Sequence, residues 1–375
     1  MHISTQFDSG NIEVLKATSQ GDIQLKIRVD NGSEFFQWFH YRVVGARGQA
    51  LAMKLVNAGQ ASYPKGWEGY NAVASYDRQT WFRVPTSYEG GVLTIQHTPE
   101  RDSVYYAYFA PYSHERHQDL VARCQLSPRC RLELLGRTLD GRDLDLLKIG
   151  EAGEGKRVCW VIARQHPGES MAEWLMEGLL ARLLDDQDPV ARELLARAVF
   201  YAVPNMNPDG SARGHLRTNA AGANLNREWE TPTMERSPEV YLVRERMRST
   251  GVDYFLDVHG DEGLPYNFIA GPDGVADLDP RVLELQREYE TALTRLCPDF
   301  QMQHGYPKAA PGKANMTMAT NHVAGAYGCL SMTLEQPFKD NANAPDPARG
   351  WSPERCRKLG VATLDALWAV FDKLR

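Results

Sequence analysis

The 375-residue sequence predicts an α/β protein in two parts: an N-terminal antiparallel β-sandwich, residues 1–118, then an α/β domain with a mixed, mostly parallel sheet, residues 119–375. Three observations predict it. The chain is longer than a single compact core usually serves, so two domains are expected. Through about residue 112, short segments of alternating polarity are separated by turn residues, and helical periodicity is hard to find. Beyond that point apolar strands alternate with helical patterns, the order that produces parallel sheets.

In the first part, Asp22-Ile-Gln-Leu-Lys-Ile-Arg-Val29 and Val92-Leu-Thr-Ile-Gln-His97 alternate apolar and polar residues, as strands with one buried face require. Asp30-Asn-Gly32 and Glu89-Gly-Gly91 supply turns between such strands, and their repetition suggests a sandwich. A short helix is expected over Arg116–Arg123, followed by strands Arg131–Thr138 and Asp143–Ile149 joined through the Asp140-Gly141 turn. The alternation then runs through strand Val158–Ala163, helix Ser170–Leu184, strand Ala198–Val203, helix Pro238–Ser249 and strand Tyr254–Val258. Helix Pro280–Leu296, strand Gly328–Leu334 and a closing helix over Trp351–Leu374 complete it. Ser352 and Pro353 form the last helix's start, a capping hydroxyl and a first-turn proline.

Composition narrows the function. With 43% hydrophobic and 24% charged residues, the chain reads as an ordinary globular enzyme rather than a disordered or fibrous protein. A formal net charge of −6 offers no basic footprint for phosphate backbones, so nucleic acid is not an expected partner. The first residues have neither a basic nor an apolar leader region, and no run approaches ~18 apolar residues, so membrane insertion is not expected and a cytoplasmic location is. Six scattered cysteines include no Cys-x-x-Cys pair; free thiols are the expectation, with Cys124–Cys130 the one pairing to consider.

The chemistry lies at strand ends. His166 and Glu169 stand in Arg164-Gln-His-Pro-Gly-Glu-Ser170, directly after the apolar strand Val158–Ala163. A second apolar strand, Tyr254–Val258, ends at His259. Open α/β sheets place ligands beyond the carboxyl ends of their strands. The Pro-Gly spacer lets His166 and Glu169 turn towards one ion. Two imidazoles and one carboxylate make an open zinc site that leaves positions for water and substrate. A His-x-x-Glu pair alone recurs by chance, as a loop histidine beside a surface glutamate; the second strand-end histidine is what points to Zn²⁺, one per chain, on His166, Glu169 and His259.

His166-Pro-Gly-Glu169, Asn205-Met-Asn-Pro-Asp-Gly210, Asn224-Leu-Asn-Arg-Glu-Trp229, Asp257-Val-His259 and Thr333-Leu-Glu335 follow one another as in zinc metallocarboxypeptidases. The chain most resembles the cytosolic carboxypeptidase subfamily, whose members carry an N-terminal β-sandwich before an α/β/α catalytic domain. Phe7-Asp-Ser-Gly-Asn11, Gln37-Trp-Phe39 and Val104-Tyr-Tyr-Ala-Tyr-Phe-Ala-Pro-Tyr112 extend the resemblance over nearly the whole chain. It implies hydrolysis of C-terminal peptide bonds, with peptide or protein C-terminal tails as substrates. Glu335, after the apolar Cys329–Leu334, is then the general base and acid, a role any attacking water requires. Asn226 and Arg227 match the pair that binds the terminal carboxylate, for which a guanidinium fork is suited. Arg217 matches the arginine that polarises the scissile carbonyl, with Arg213 a nearby competitor.

The sequence departs from the family at Asn224, where many members have an aspartate. Its amide oxygen can accept a hydrogen bond from a metal-bound histidine but brings no charge. Asp257 is either such a partner of His259 or part of the sheet-edge packing. The family's mobile tyrosine is Tyr306 or Tyr327, and the spacing does not choose. Members of the subfamily commonly select acidic C-terminal residues through a basic pocket; Lys313 is the leading candidate and Lys308 the next. Two rival readings are a zinc amidohydrolase of N-acyl amino acids, which can use the same ligands and carboxylate anchors, and a non-enzymatic peptide-binding module. The second would require Glu335 or a metal ligand to be missing.

Overall fold

The computed structural model describes residues 1–374. Its N-terminal part contains two five-stranded sheets. One orders His2–Ser4, His40–Val44, Ser103–Ala107, Val73–Ser75 and Phe82–Arg83, all antiparallel. The other orders Glu13–Lys16, Ile23–Lys26, Leu51–Leu55, Val92–His97 and Thr86–Glu89, antiparallel except where Ile23–Lys26 runs parallel to Leu51–Leu55. Alternation decides what is buried: Ile23, Leu25, Met53, Leu55, Leu93 and Ile95 are enclosed, while Lys26 and Gln96 between them face out. The strand expected to reach Val29 stops at Lys26 because side chains replace its ladder. The Asn57 amide pairs with both backbone groups of Ile27 at 3.0 Å, and Asn11 Oδ1 accepts the Arg28 N–H at 3.0 Å.

The second part is built on a seven-stranded sheet ordered Cys130–Arg137, Asp143–Ile149, Ala198–Val203, Arg157–Ala163, Tyr254–Val258, Leu330–Glu335 and Phe268–Ala270. The four strands from Ala198–Val203 to Leu330–Glu335 are parallel, and the others join antiparallel. Residues of Arg157–Ala163 alternate between two apolar clusters, Cys159, Val161 and Ala163 on one face and Trp160 and Ile162 on the other. A strand covered on both faces reads as a continuous apolar run. Helices Met171–Leu183 and Pro353–Val370 cross so tightly that a Cβ on Gly178 would lie 2.2 Å from the Arg357 carbonyl, and one on Gly360 2.2 Å from the Leu175 carbonyl.

Helices Pro189–Arg197, Pro208–Arg213 and Ala319–Tyr327 are not expected from the sequence; at nine, six and nine residues each offers few turns over which a periodic pattern can show. The first two have capping side chains: Asp188 accepts the Ala191 N–H at 2.8 Å, and Asn207 that of Gly210 at 3.0 Å. Helix His114–Cys124 runs through residue 118, where the sequence placed the division between the two parts. The core of the sandwich continues into one face of the large sheet. Tyr108 stacks on Phe338 with ring centroids 4.4 Å apart, and Arg83 donates to the carbonyls of Phe338 and Trp351 at 2.9 and 3.1 Å. All six cysteines are buried, and Cys124 and Cys130 are free thiols rather than a disulfide. Among the described residues no helix is long and apolar enough to cross a membrane.

Candidate metal centre and active site

Strand Arg157–Ala163 has the next parallel strand, Ala198–Val203, on one side and the one after it, Tyr254–Val258, on the other. That reversal opens a crevice at the carboxyl ends. Register pairs Ala163 with Val258, so the loop carrying His166 and Glu169 and the residue His259 leave the sheet at one edge. The loop opens at Arg164, whose φ of 60° is left-handed and costs a non-glycine residue about 1 kcal/mol. Its buried guanidinium restrains it, bonding Glu173 Oε2 at 2.5 Å, the Tyr112 carbonyl at 2.7 Å and the Pro167 carbonyl at 2.9 Å. Glycine is needed at 168, where a Cβ would stand 2.9 Å from the Leu216 carbonyl.

His166 Nδ1 and His259 Nδ1 each lie 2.7 Å from one oxygen of Glu169, with the imidazole centroids 4.8 Å apart. All three side chains are buried, and their ligand atoms lie within 4.8 Å of one another. The outer ring nitrogens have acceptors: His166 Nε2 lies 3.0 Å from Asn224 Oδ1, and His259 Nε2 2.9 Å from Asp257 Oδ2. With the outer nitrogens donating, each Nδ1 presents a lone pair towards the carboxylate. Lone pairs and anionic oxygens that converge in this way fit a shared cation, and the N₂O donor set suits Zn²⁺. Gln165 extends the support, donating to Asp257 Oδ2 at 2.6 Å and accepting from Trp229 Nε1 at 2.8 Å.

A cleft of about 570 Å³ opens over this cluster, lined by His166, Glu169, Arg217, Asn226, Arg227 and Glu335 together with other residues. Glu335 ends strand Leu330–Glu335, with its Oε2 buried and unpartnered. Burial, joined by the Glu169 and Asp261 carboxylates and opposed by His259, pushes its carboxyl well above the ordinary range. Tyr306 lines the cleft, and its hydroxyl donates to Asp261 Oδ2 at 2.5 Å and reaches Glu335 Oε1 at 3.3 Å. Tyr327 packs instead against the apolar cluster behind the sheet. Arg213 points away and pairs with Asp140 at 2.6 Å. Asn226 Oδ1 accepts the Ala319 N–H at 2.8 Å, which leaves its amide nitrogen as the group free to donate. Lys313 is exposed in an adjoining depression of about 540 Å³, which shares Tyr306 and Met318 with the cleft; Lys308 pairs there with Asp273 at 3.1 Å.

Several lining residues escaped the sequence reading. Asp261 and the buried Glu262 directly follow His259-Gly260, a proximity that could have flagged them. Ser62–Gly66, from the sandwich, form one wall of the cleft, and nothing in their local sequence signals it.

Residues 118–349 match the family model described as zinc carboxypeptidase, and residues 3–109 match that of the cytosolic carboxypeptidase N-terminal domain. The chain belongs to the zinc carboxypeptidase family. Within that family it is similar to a metallo-carboxypeptidase from Burkholderia cenocepacia, with 50% identity and a TM-score of 0.97 over 99% of each chain. A metallo-carboxypeptidase from Pseudomonas aeruginosa, solved in complex with (2-guanidinoethylmercapto)succinic acid, is 47% identical with a TM-score of 0.98 over the whole of both chains. Mouse cytosolic carboxypeptidase 6 is 28% identical over 294 residues, which cover 71% of this chain and 54% of the mouse protein.

Proposed function

We propose that this protein is a cytoplasmic zinc metallocarboxypeptidase that removes C-terminal residues from peptides or protein tails, with one Zn²⁺ held by His166, Glu169 and His259. The observation that carries the reading is the cleft in which His166 and Glu169, the latter 2.7 Å from His259, meet Glu335, Arg217, Asn226 and Arg227. Zn²⁺ in this donor set supplies a Lewis acid and lowers the cost of deprotonating water at neutral pH. Glu335 takes the proton of the attacking water on a carboxylate oxygen and returns it to the leaving amine. Arg217 donates to the oxyanion that forms at the scissile carbonyl. The Asn226 amide and the Arg227 guanidinium hold the terminal carboxylate, which places the last peptide bond, rather than one further in, at the reacting groups. Tyr306 lines the same cleft and gives its hydroxyl to Asp261, within reach of Glu335.

The compound in complex with the Pseudomonas relative is a succinic acid, and a dicarboxylate there supports the reading that this cleft anchors a carboxylate. Preference for C-terminal glutamate or aspartate follows from the resemblance to cytosolic carboxypeptidases, with Lys313 as the added basic contact. We read the sandwich and the catalytic domain as one working unit divided near residue 118, with helix His114–Cys124 as the joint.

A peptide series that differs only at the C-terminal residue, assayed with Zn²⁺, with chelator and with Glu335→Gln, tests the reading. Release of single C-terminal residues is expected, fastest for acidic ones, and lost with chelator or Glu335→Gln. Undiminished cleavage by Glu335→Gln would remove the base, and cleavage of C-terminally amidated peptides would remove the carboxypeptidase assignment.

A further inference from the structure

The segment that carries Arg217 is held by the other half of the molecule. Asp30, 3% exposed in the loop after the sandwich strand Ile23–Lys26, accepts hydrogen bonds from three consecutive backbone N–H groups. Leu216 donates to its Oδ1 at 2.7 Å, and Arg217 and Thr218 donate to Oδ2 at 2.8 and 3.0 Å. The Thr218 hydroxyl adds a fourth bond at 3.2 Å. These residues lie in neither helix nor strand, so no regular ladder satisfies those groups. The flanks are tied to the sandwich as well: His215 Nε2 lies 3.1 Å from Asn31 Oδ1, and Asn11 Nδ2 donates to the Gly214 carbonyl at 2.7 Å.

The side chain of Arg217 follows the same pattern. Among the described residues its guanidinium has no ion pair or hydrogen bond of its own. It lies 5.6 Å from the Phe35 ring centroid and 5.4 Å from that of Tyr63, both from the sandwich. Two rings direct it while its donors stay open towards the cleft. The clamp also touches the metal loop, because the Leu216 carbonyl accepts the Gly168 N–H at 2.8 Å beside Glu169.

We infer that Asp30 is a positioning residue for Arg217, and that the sandwich, through Asp30 on the backbone and Phe35 and Tyr63 on the side chain, is part of the reaction centre. This rests on the proposed role of Arg217 at the scissile carbonyl. Donors to a developing oxyanion act only when fixed in advance, and a misplacement of about 1 Å can lower the rate about 100-fold. An asparagine at 30 cannot reproduce the clamp. It has one acceptor oxygen, and whichever way the amide turns, its NH₂ meets a backbone N–H that now has a carboxylate oxygen.

The test is a double-mutant cycle on the zinc-loaded full chain, with Asp30→Asn, Arg217→Ala and the pair, read as kcat and KM on one peptide with a free C-terminus. Zinc content and thermal unfolding are measured on each. Arg217→Ala is expected to lower kcat about 100-fold. Asp30→Asn is expected to lower kcat about tenfold with KM little changed. In the Arg217→Ala background, Asp30→Asn should change kcat less than about twofold, because the group it positions is gone. An undiminished tenfold effect in that background would overturn the inference, as would full activity of folded Asp30→Asn. If Arg217→Ala alone leaves kcat unchanged, the role assigned to Arg217 fails first, and the inference with it. Should Asp30→Asn not fold, Phe35→Leu enters the same cycle: loss of its effect in the Arg217→Ala background supports the sandwich's hold on the guanidinium, and additivity refutes it.

Discussion

The two imidazoles of the metal centre are supported by unequal partners, and exchanging them should move zinc affinity in opposite directions. Asp257 is fully buried, and its Oδ2 faces His259 Nε2 at 2.9 Å and Gln165 Nε2 at 2.6 Å. In Asp257→Asn, an amide oxygen turned to the same two donors keeps both contacts but loses the charge that makes His259 a stronger ligand. Its NH₂ then occupies the place of Oδ1, which has no partner, and becomes a buried donor without an acceptor. A charge-assisted bond reduced to a neutral one loses about 1 kcal/mol. Removal of a histidine's acceptor typically weakens metal binding 10- to 100-fold, or about 1.4 to 2.7 kcal/mol. We therefore expect Asp257→Asn to bind Zn²⁺ at least tenfold more weakly than the native chain. His166 already faces a neutral oxygen at Asn224, 3.0 Å away, so Asn224→Asp adds the missing charge and should retain the metal and tighten it about tenfold. Competition against a chelator at one neutral pH ranks the three proteins. Folded Asp257→Asn that binds as tightly as the native chain, or Asn224→Asp that loses zinc, would refute the reasoning.

Arg227→Ala should raise KM for free-C-terminus peptides by about 10- to 100-fold, the worth of a charged hydrogen bond to a carboxylate, while kcat falls much less; an unchanged KM would detach Arg227 from substrate binding. Gly360→Ala should destabilise the fold by about 2 kcal/mol despite alanine's better helix propensity, because the Leu175 carbonyl leaves no room for a Cβ; denaturant unfolding with an unchanged midpoint would contradict this. His117 lies 2.9 Å from Glu173 and 3.4 Å from Asp145; burial opposes its charge, but the two carboxylates prevail and raise its pKa to about 9. Its contribution to stability is thus complete below its unfolded pKa of about 6.5 and lost as pH rises through 9, a change of about 3 kcal/mol that should be missing from the pH profile of His117→Gln. A native chain equally stable at both ends of that window would exclude the charged pair.

Much of the fold was legible because its signals are local. The run Val158–Ala163 announces a strand covered on both faces, and Asn224's short polar side chain announces a neutral acceptor, since each depends on a residue's own chemistry and nearest neighbours. The strand that halts at Lys26 shows where this ends, because its ladder is broken by Asn57 and Asn11, remote in sequence. Tyr306 and Tyr327 were equivalent on spacing alone. Tertiary structure separates them, one bonded to Asp261 above the cleft and the other packed behind the sheet. Arg213 and Arg217, four residues apart, part in the same way: Gly214 at φ 73° turns the chain after the helix, sending one guanidinium to Asp140 and the other into the cleft.

The two-part architecture and the family were legible in the order of residues alone, because strand periodicity and the succession of short motifs need no knowledge of distant contacts, and the same motifs named the three residues proposed to hold the metal. That Asp30 meets Leu216–Thr218 and that Ser62–Gly66 wall the cleft is visible in the three-dimensional structure and nowhere in the order of residues. Those contacts join segments more than 100 residues apart, through single hydrogen bonds and ring faces that leave no periodic trace in either partner. They exist because the core of the sandwich is continuous with one face of the large sheet, which holds two loops of the sandwich over its edge.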